Sequence, residues 1–280
     1  MMLKYSGYIS TSKPILIGGC GRSGTTLMRV MLDSHPDICC GPESDLFNGE
    51  LLDLSKVTTD YWGKLAWKFD FDTDSILKLA SACGSHAEFV DRFFLDYTVA
   101  KGRKIWADKT PRNILMLDYI FEVFPKAKFI HMIRDGRDVV CSLRHHPRHK
   151  VVDGVLVPTG IINPIEKCLE RWVHDVSSGL RHRQDARYIE IHYEDLVLNP
   201  EATTQRLFSF LEVEWNRSVL DFHEVNTASR DITKFPQNPE ATESLKSSAI
   251  GRWAKDLTPS ELSFVEQNDS GLLSLLGYRN

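Results

Sequence analysis

Short apolar runs alternate along the chain with stretches whose apolar residues recur every three or four positions. Pro14–Gly19 (PILIGG) is the first run, and its length and glycine end predict a buried strand. From Thr25 to Ser34, Leu27, Met28, Val30 and Met31 fall at helical spacing, and His35-Pro36 ends the segment. Ala127–Ile133 (AKFIHMI) predicts a second buried strand, followed by a helix over Asp135–His145. Arg187–Ile191 (RYIEI) predicts a third strand, and Lys104–Ala107 is a shorter candidate. Further helices are expected over Leu46–Leu54, Ile76–Ala82 and Glu88–Val99, and from Pro111 to Phe124 with proline in its favoured first turn. Others are expected from Asn163-Pro164 to about Gln184, from Asn199-Pro200 through Leu211, and from near Pro259. The aromatics Tyr61, Trp62, Trp67, Phe69 and Phe71 read mostly as core, with the wall of an acceptor pocket as the sharper alternative. His146–Ile162 has two prolines, two glycines and no period, so a loop or flap is expected. Asn226–Ser248 is polar and turn-rich and is expected to be mobile. Strands alternating with helices predict an α/β fold: an open, mostly parallel sheet with helices on both faces.

The chain has 280 residues, enough for one large α/β domain. Its 42% hydrophobic and 26% charged residues are those of an ordinary globular protein. The formal net charge of -4 offers no general attraction to nucleic acid, so a basic site must be local. No stretch reaches the ~20 apolar residues of a membrane span. The start, MMLKYSGYISTSKPILIGG, lacks the long apolar run of a signal peptide, and a cytoplasmic location is expected. The six cysteines form no C-x-x-C pair and are expected to be free thiols. His145, His146 and His149 cluster in sequence, but proline and helix geometry argue against a metal site, and no metal is expected.

Chemistry first appears in GGCGRSGTTLMRVMLDSHPD, Gly18 to Asp37. Gly19 and Gly24 bracket four residues, the spacing of a phosphate-binding loop ahead of a helix. The lysine that an ATP- or GTP-binding loop places after its last glycine is replaced by Thr25. Arg22 supplies a planar fork of donors instead, suited to an anion smaller than a triphosphate–Mg²⁺ complex. The plain alternative is a strand–turn–helix that binds nothing. A second basic site follows the second buried strand in IRDGRDVVCS, with Arg134 at the strand end and Ser142 about two turns into the helix. Ligands collect at the C-terminal ends of parallel strands, so Arg22 and Arg134 would meet on one ligand. A salt bridge from Arg134 to Asp135 or Asp138 is the plain alternative.

These segments resemble the 5′-phosphosulfate loop and the 3′-phosphate motif of sulfotransferases that use 3′-phosphoadenosine 5′-phosphosulfate (PAPS). GGCGRSGTTLMRVMLDSHPDICCGPE is most similar to the tyrosylprotein sulfotransferases. ADKTP (Ala107–Pro111), FIHMIRDGRDVVCS, IHYEDLVLNP and IGRW follow in the family's order. The resemblance spans about residues 14 to 257 and is weak across 45–100 and 146–162, which would be acceptor-side insertions in a single domain over 1–280. It implies a P-loop-type fold and sulfuryl transfer from PAPS to an acceptor hydroxyl, with 3′-phosphoadenosine 5′-phosphate (PAP) as product. It further implies that Arg22, Ser23, Gly24, Thr25 and Thr26 hold the 5′-phosphosulfate, and that Arg134 and Ser142 hold the 3′-phosphate. Tyr193 would contact the nucleotide and Arg252 would close over it. Glu43 matches the family's general base, and Lys109 matches the lysine that stabilises the leaving oxygen; a capping carboxylate and a solvated lysine are the plain alternatives.

The chain also departs from the tyrosine-specific enzymes. Ser44-Asp45 follows Glu43 where they carry an arginine that helps to grip acidic peptides, and Gly251 replaces a serine before the basic residue–tryptophan pair. An acidic Asp45 would repel an acidic peptide, so a carbohydrate, lipid or small-metabolite hydroxyl stands beside tyrosine as acceptor. A P-loop kinase and a PAP-binding protein without activity are the rivals from other classes.

Overall fold

The computed structural model describes residues 7–146, 149–152, 155–224 and 247–279. Five parallel strands form the central sheet: β1 (Ile15–Gly18), β2 (Ile38–Cys40), β3 (Ile105–Lys109), β4 (Lys128–Ile133) and β7 (Tyr188–His192), in the order β2-β3-β1-β4-β7. β1 lies at the centre, with Ile15 beside Ala107 on one flank and Lys128 on the other. The chain leaves β1 towards β2 and β3 and later crosses to β4 and β7, so the crevice beyond the C-terminal end of β1 is a topological switch point.

Side chains alternate between the sheet faces with period two, and this builds two cores. Leu16, Trp106 and Phe129 project to one face. There they meet α2 (Thr59–Phe69), α3 (Thr73–Ala82) and α4 (His86–Ala100), whose Trp62, Phe69, Phe89, Phe93 and Phe94 fill an aromatic core. Ile15, Ile17, Ile130 and Met132 project to the other face, against Met28, Val30 and Met31 of α1 (Thr25–Asp33) and Leu207, Phe208 and Leu211 of α9 (Pro200–Leu211). A third cluster joins Val139, Val140 and Leu143 of α6 (Gly136–Arg144) to Leu169, Trp172 and Val176 of α7 (Ile165–Leu180) and to the C-terminal helices. The parallel α/β sheet with helices on both faces is the architecture expected from the alternation of elements, and its P-loop-type fold is the one the family resemblance implies.

Several elements differ from the sequence expectation. Leu46–Leu54 is not a helix: it holds two 3-10 turns, Gly49–Leu51 and Leu54–Lys56, whose preceding residues Asn48 and Asp53 bond the following backbone and favour turn over helix. The aromatic stretch is itself the helix α2, capped by Thr58. Its Tyr61, Trp62, Phe69 and Phe71 join the core, whereas Trp67 is exposed. Pro111 opens a 3-10 turn to Met116 before α5 (Leu117–Val123), because the Pro111 carbonyl accepts from Gly19 N–H at 3.0 Å and is lost to a helical ladder. β2 and a short helix α8 (Tyr193–Leu198) were not anticipated. The expected loop over His146–Ile162 contains an antiparallel hairpin, β5 (His149–Val152) and β6 (Val155–Pro158). Of Asn226–Ser248, residues 226–246 lie outside the described residues; Ser247 and Ser248 open the 3-10 turn Ser247–Ala249.

Candidate active site

Each strand of the sheet delivers its own contribution at its C-terminal end: the Gly19–Gly24 loop after β1, Glu43 after β2, Lys109 at the end of β3, Arg134 after β4 and Tyr193 after β7. The loop after β1 needs its glycines. Gly24 has φ 88°, and a Cβ there would stand 2.5 Å from the Tyr193 ring. Gly19 has φ 140°, and its Cβ would meet the Met132 carbonyl oxygen at 2.4 Å. Arg22 is also left-handed, φ 75°, where a residue with a Cβ is strained by roughly 1–3 kcal/mol.

Arg134 supports that conformation. Its Nη1 donates to the Arg22 carbonyl at 3.0 Å, its Nη2 donates to the Ala249 carbonyl, and its guanidinium lies 4.7 Å from the Tyr193 ring centroid. The structure therefore brings Arg22, Gly24, Arg134 and Tyr193 together. Arg22 Nε donates to Ser142 Oγ at 2.9 Å, joining the loop to α6. The salt bridge considered for Arg134 is long: Asp138 lies 3.9 Å away and is engaged by the N–H groups of Gly251 and Trp253 at 2.8 and 3.0 Å. Arg252 pairs with Asp256, Nε to Oδ2 2.6 Å, rather than with the loop.

Lys109 is the most buried charge of the site; its side chain is 2% exposed, against 43% for Glu43. Its Nζ donates to Glu43 Oε1 and lies 3.4 Å from Thr26 Oγ1. Burial pulls the Lys109 pKa below the ordinary lysine value, and the charge of Glu43 works against that pull. One ammonium thus joins the phosphate-type loop to the carboxylate.

These groups open on a cavity of about 340 Å³. Among the described residues its lining carries the cations Arg22, Arg29, Lys68, Lys109 and Arg171 and the single carboxylate Glu43. Thr25 and Thr26 line it too. Arg29, Lys68 and Arg171 were not singled out from the sequence. Arg29 had a signal, since it lies three and four residues beyond Thr26 and Thr25 on one helix face. Lys68 sits on α2, whose helical character was missed, and its Nζ donates to the Glu43 carbonyl at 2.9 Å and to Asp45 Oδ2 at 3.0 Å. Arg171 comes from α7, far along the chain, and packs over the loop so closely that a Cβ on Gly21 would be 3.1 Å from it.

The family model described as "Sulfotransferase family" matches residues 14–217. The chain belongs to the sulfotransferase family. Among its relatives, Protein-tyrosine sulfotransferase 1 of Danio rerio is 33% identical over 218 residues, 75% of this chain and 56% of that protein. Protein-tyrosine sulfotransferase 1 of Homo sapiens is 30% identical over 278 residues, 94% of this chain and 69% of that protein. Protein-tyrosine sulfotransferase of Drosophila melanogaster is 29% identical, and this sulfotransferase-family chain covers 51% of it, so the chain spans about half the length of several curated relatives it matches. The sulfotransferase domain of the Synechococcus PCC 7002 olefin synthase superposes with a TM-score of 0.66 at 20% identity, covering 95% of this chain and 98% of that one. Mouse sulfotransferase SULT7A1 complexed with PAP superposes with a TM-score of 0.51 at 14% identity, covering 93% and 84%. At these identities the two structures establish the shared fold.

Proposed function

We propose that this chain transfers the sulfuryl group of PAPS to a hydroxyl of its acceptor, with residues 1–280 acting as one domain. The observation that carries this reading is Lys109 Nζ, held between Thr26 on the loop side and Glu43 on the cavity side. The chain's own groups fit an anionic donor. α1 begins without a side-chain cap, which leaves first-turn N–H groups for another acceptor. Ser23 Oγ and Arg134 Nε are buried without a hydrogen-bond partner among the described residues. PAPS would supply an electrophilic sulfur with a phosphate leaving group. Arg22, Thr25, Thr26 and the loop backbone would hold its 5′ end, and Arg134 and Ser142 its 3′-phosphate. Glu43 would take the proton of the acceptor hydroxyl, and the Lys109 ammonium would stabilise charge on the departing oxygen. No lysine follows Gly24 to reach a γ-phosphate, which disfavours a kinase.

A second reading, a protein tyrosine as the acceptor, is favoured by two observations. The relatives at 30–33% identity carry the name protein-tyrosine sulfotransferase. Lys68 also pairs with Asp45, which reduces the repulsion of an acidic peptide expected from the sequence. The test is thermal unfolding with PAP, AMP and ATP–Mg²⁺, followed by PAPS turnover with a tyrosine-bearing acidic peptide and with carbohydrate and lipid alcohols. A ligand at a hundred times its dissociation constant stabilises by about 2.7 kcal/mol. PAP should raise the midpoint, with AMP and ATP–Mg²⁺ far weaker; a shift by ATP–Mg²⁺ alone would overturn the reading.

A further inference from the structure

Three consecutive residues at the end of β3 each face one of three consecutive residues in the segment that carries Glu43, and two of them hold theirs by hydrogen bonds. Lys109 Nζ donates to the Glu43 carboxylate. Asp45 N–H donates to Thr110 Oγ1 at 3.2 Å. Asp108, 1% exposed, lies beside Ser44, and its Oδ2 accepts from Asn113 Nδ2 at 2.8 Å while its Oδ1 is buried without a hydrogen-bond partner among the described residues. The alternation of the strand accounts for the geometry. Asp108 shares the face of Trp106 and Lys109 the face of Ala107, so the segment lies across the strand end and is met from both faces. The same segment has Asp45 in the left-handed region, φ 58°, which costs an aspartate some strain, and the bond to Thr110 helps to hold it there. Tyr61 adds a further hold, its hydroxyl donating to the Ser44 carbonyl at 3.0 Å.

We propose that Asp108 and Thr110 are positioning residues: they fix the backbone of Ser44 and Asp45 so that the half-exposed Glu43 carboxylate stays against Lys109 at the cavity. The consequence for catalysis rests on Glu43 being the base; the clamp itself does not. A base displaced by about 1 Å can lose on the order of a hundredfold in rate.

The experiment follows Lys109 rather than turnover alone. Its amine is titrated by ¹⁵N NMR in the full chain, in T110V, which removes the acceptor oxygen at nearly constant shape, in T110S, which restores it, and in D108N. PAP affinity is measured by calorimetry in each. Glu43 raises the Lys109 pKa, so E43Q sets how far the titration falls when the carboxylate is gone. In T110V and D108N the Lys109 titration should move in the E43Q direction, PAP affinity should stay within about twofold, and T110S should behave as the parent. A Lys109 titration unchanged in both variants would overturn the proposal even if their midpoints fell, because a merely structural role lowers stability without moving that pair. Wild-type PAPS turnover by E43Q would instead remove Glu43 as base and leave the clamp standing.

Discussion

On the proposed function, Arg134 would have two duties that draw on the same guanidinium. Nη1 and Nη2 each give an N–H to the carbonyls of Arg22 and Ala249, and the buried Nε has no partner among the described residues. An Arg134→Ala change should therefore act twice. The midpoint should fall because Arg22 loses the tether of its left-handed conformation, and affinity for PAP should fall far more than affinity for AMP. Equal losses for the two nucleotides, measured by calorimetry, would mean that the group serves the loop alone. For Glu43→Gln the expectation is a fall in turnover of about 10²–10⁴-fold with PAP binding retained. Lys109 adds a pH signature. Burial lowers its pKa, so the ammonium is lost below the ordinary lysine value, and turnover should decline on the alkaline side before pH 10.5, read from rate against pH. Arg252 illustrates what single residues withhold. Its motif is legible, yet the side chain turns to Asp256 four residues on, a local pairing that a motif does not encode.

Among the elements, the turn from β1 into α1 is the most constrained. Gly24→Ala would place a Cβ at φ 88° and 2.5 Å from the Tyr193 ring. The backbone strain alone costs about 1 kcal/mol or more, and the ring must also move. The expected outcome is a lower unfolding midpoint together with weaker PAP binding, because Tyr193 and the loop shift as one; unaltered PAP affinity would count against Tyr193 as a nucleotide contact. The strands that bury both sides, β1 and β4, were legible as continuous apolar runs, and so were the helices opened by Pro164, Pro200 and Pro259. β2 was not, because three residues, Ile38-Cys39-Cys40, are too short to carry a period. α2 was hidden because aromatics surround its helical face and Gly63 interrupts it. The hairpin after α6 carried a sequence signal, the pair Asp153-Gly154 between Val151-Val152 and Val155-Leu156, but its flanking residues are apolar runs that do not alternate. The site followed the same rule. Loop residues adjacent in sequence were readable, whereas Lys68 and Arg171 reach the cavity only through helix packing.

For the whole molecule, packing leaves titratable groups buried in the sheet and beneath its helices, and these contribute to its response to acid. Burial holds His131 down to about 3 and His86 to about 4, from 6.5, and lowers His35 in the same direction. An imidazole whose folded pKa is depressed supports the folded state above 6.5, and that support is lost as pH falls towards the folded value. Asp108 acts in the opposite sense. Burial raises it from 3.8 to about 6, so its contribution is full below 3.8 and lost as pH rises through 6. Between pH 6 and 4.5 the unfolded chain thus takes up protons on His131 and His86 while the folded chain takes up one on Asp108. For these three groups alone the unfolded chain carries about one proton more than the folded chain, or about 1.4 kcal/mol of stability lost per pH unit of acidification. Urea unfolding at pH 6, 5.5, 5 and 4.5 measures this slope. Stability that held steady or rose on acidification would contradict the buried neutral histidines. Asp108→Asn separates the contributions, since removing the opposing proton should steepen the slope whatever its offset in stability. The same substitution loosens the clamp on Glu43, so the group that blunts the acid response of the fold is also one that holds the base in place.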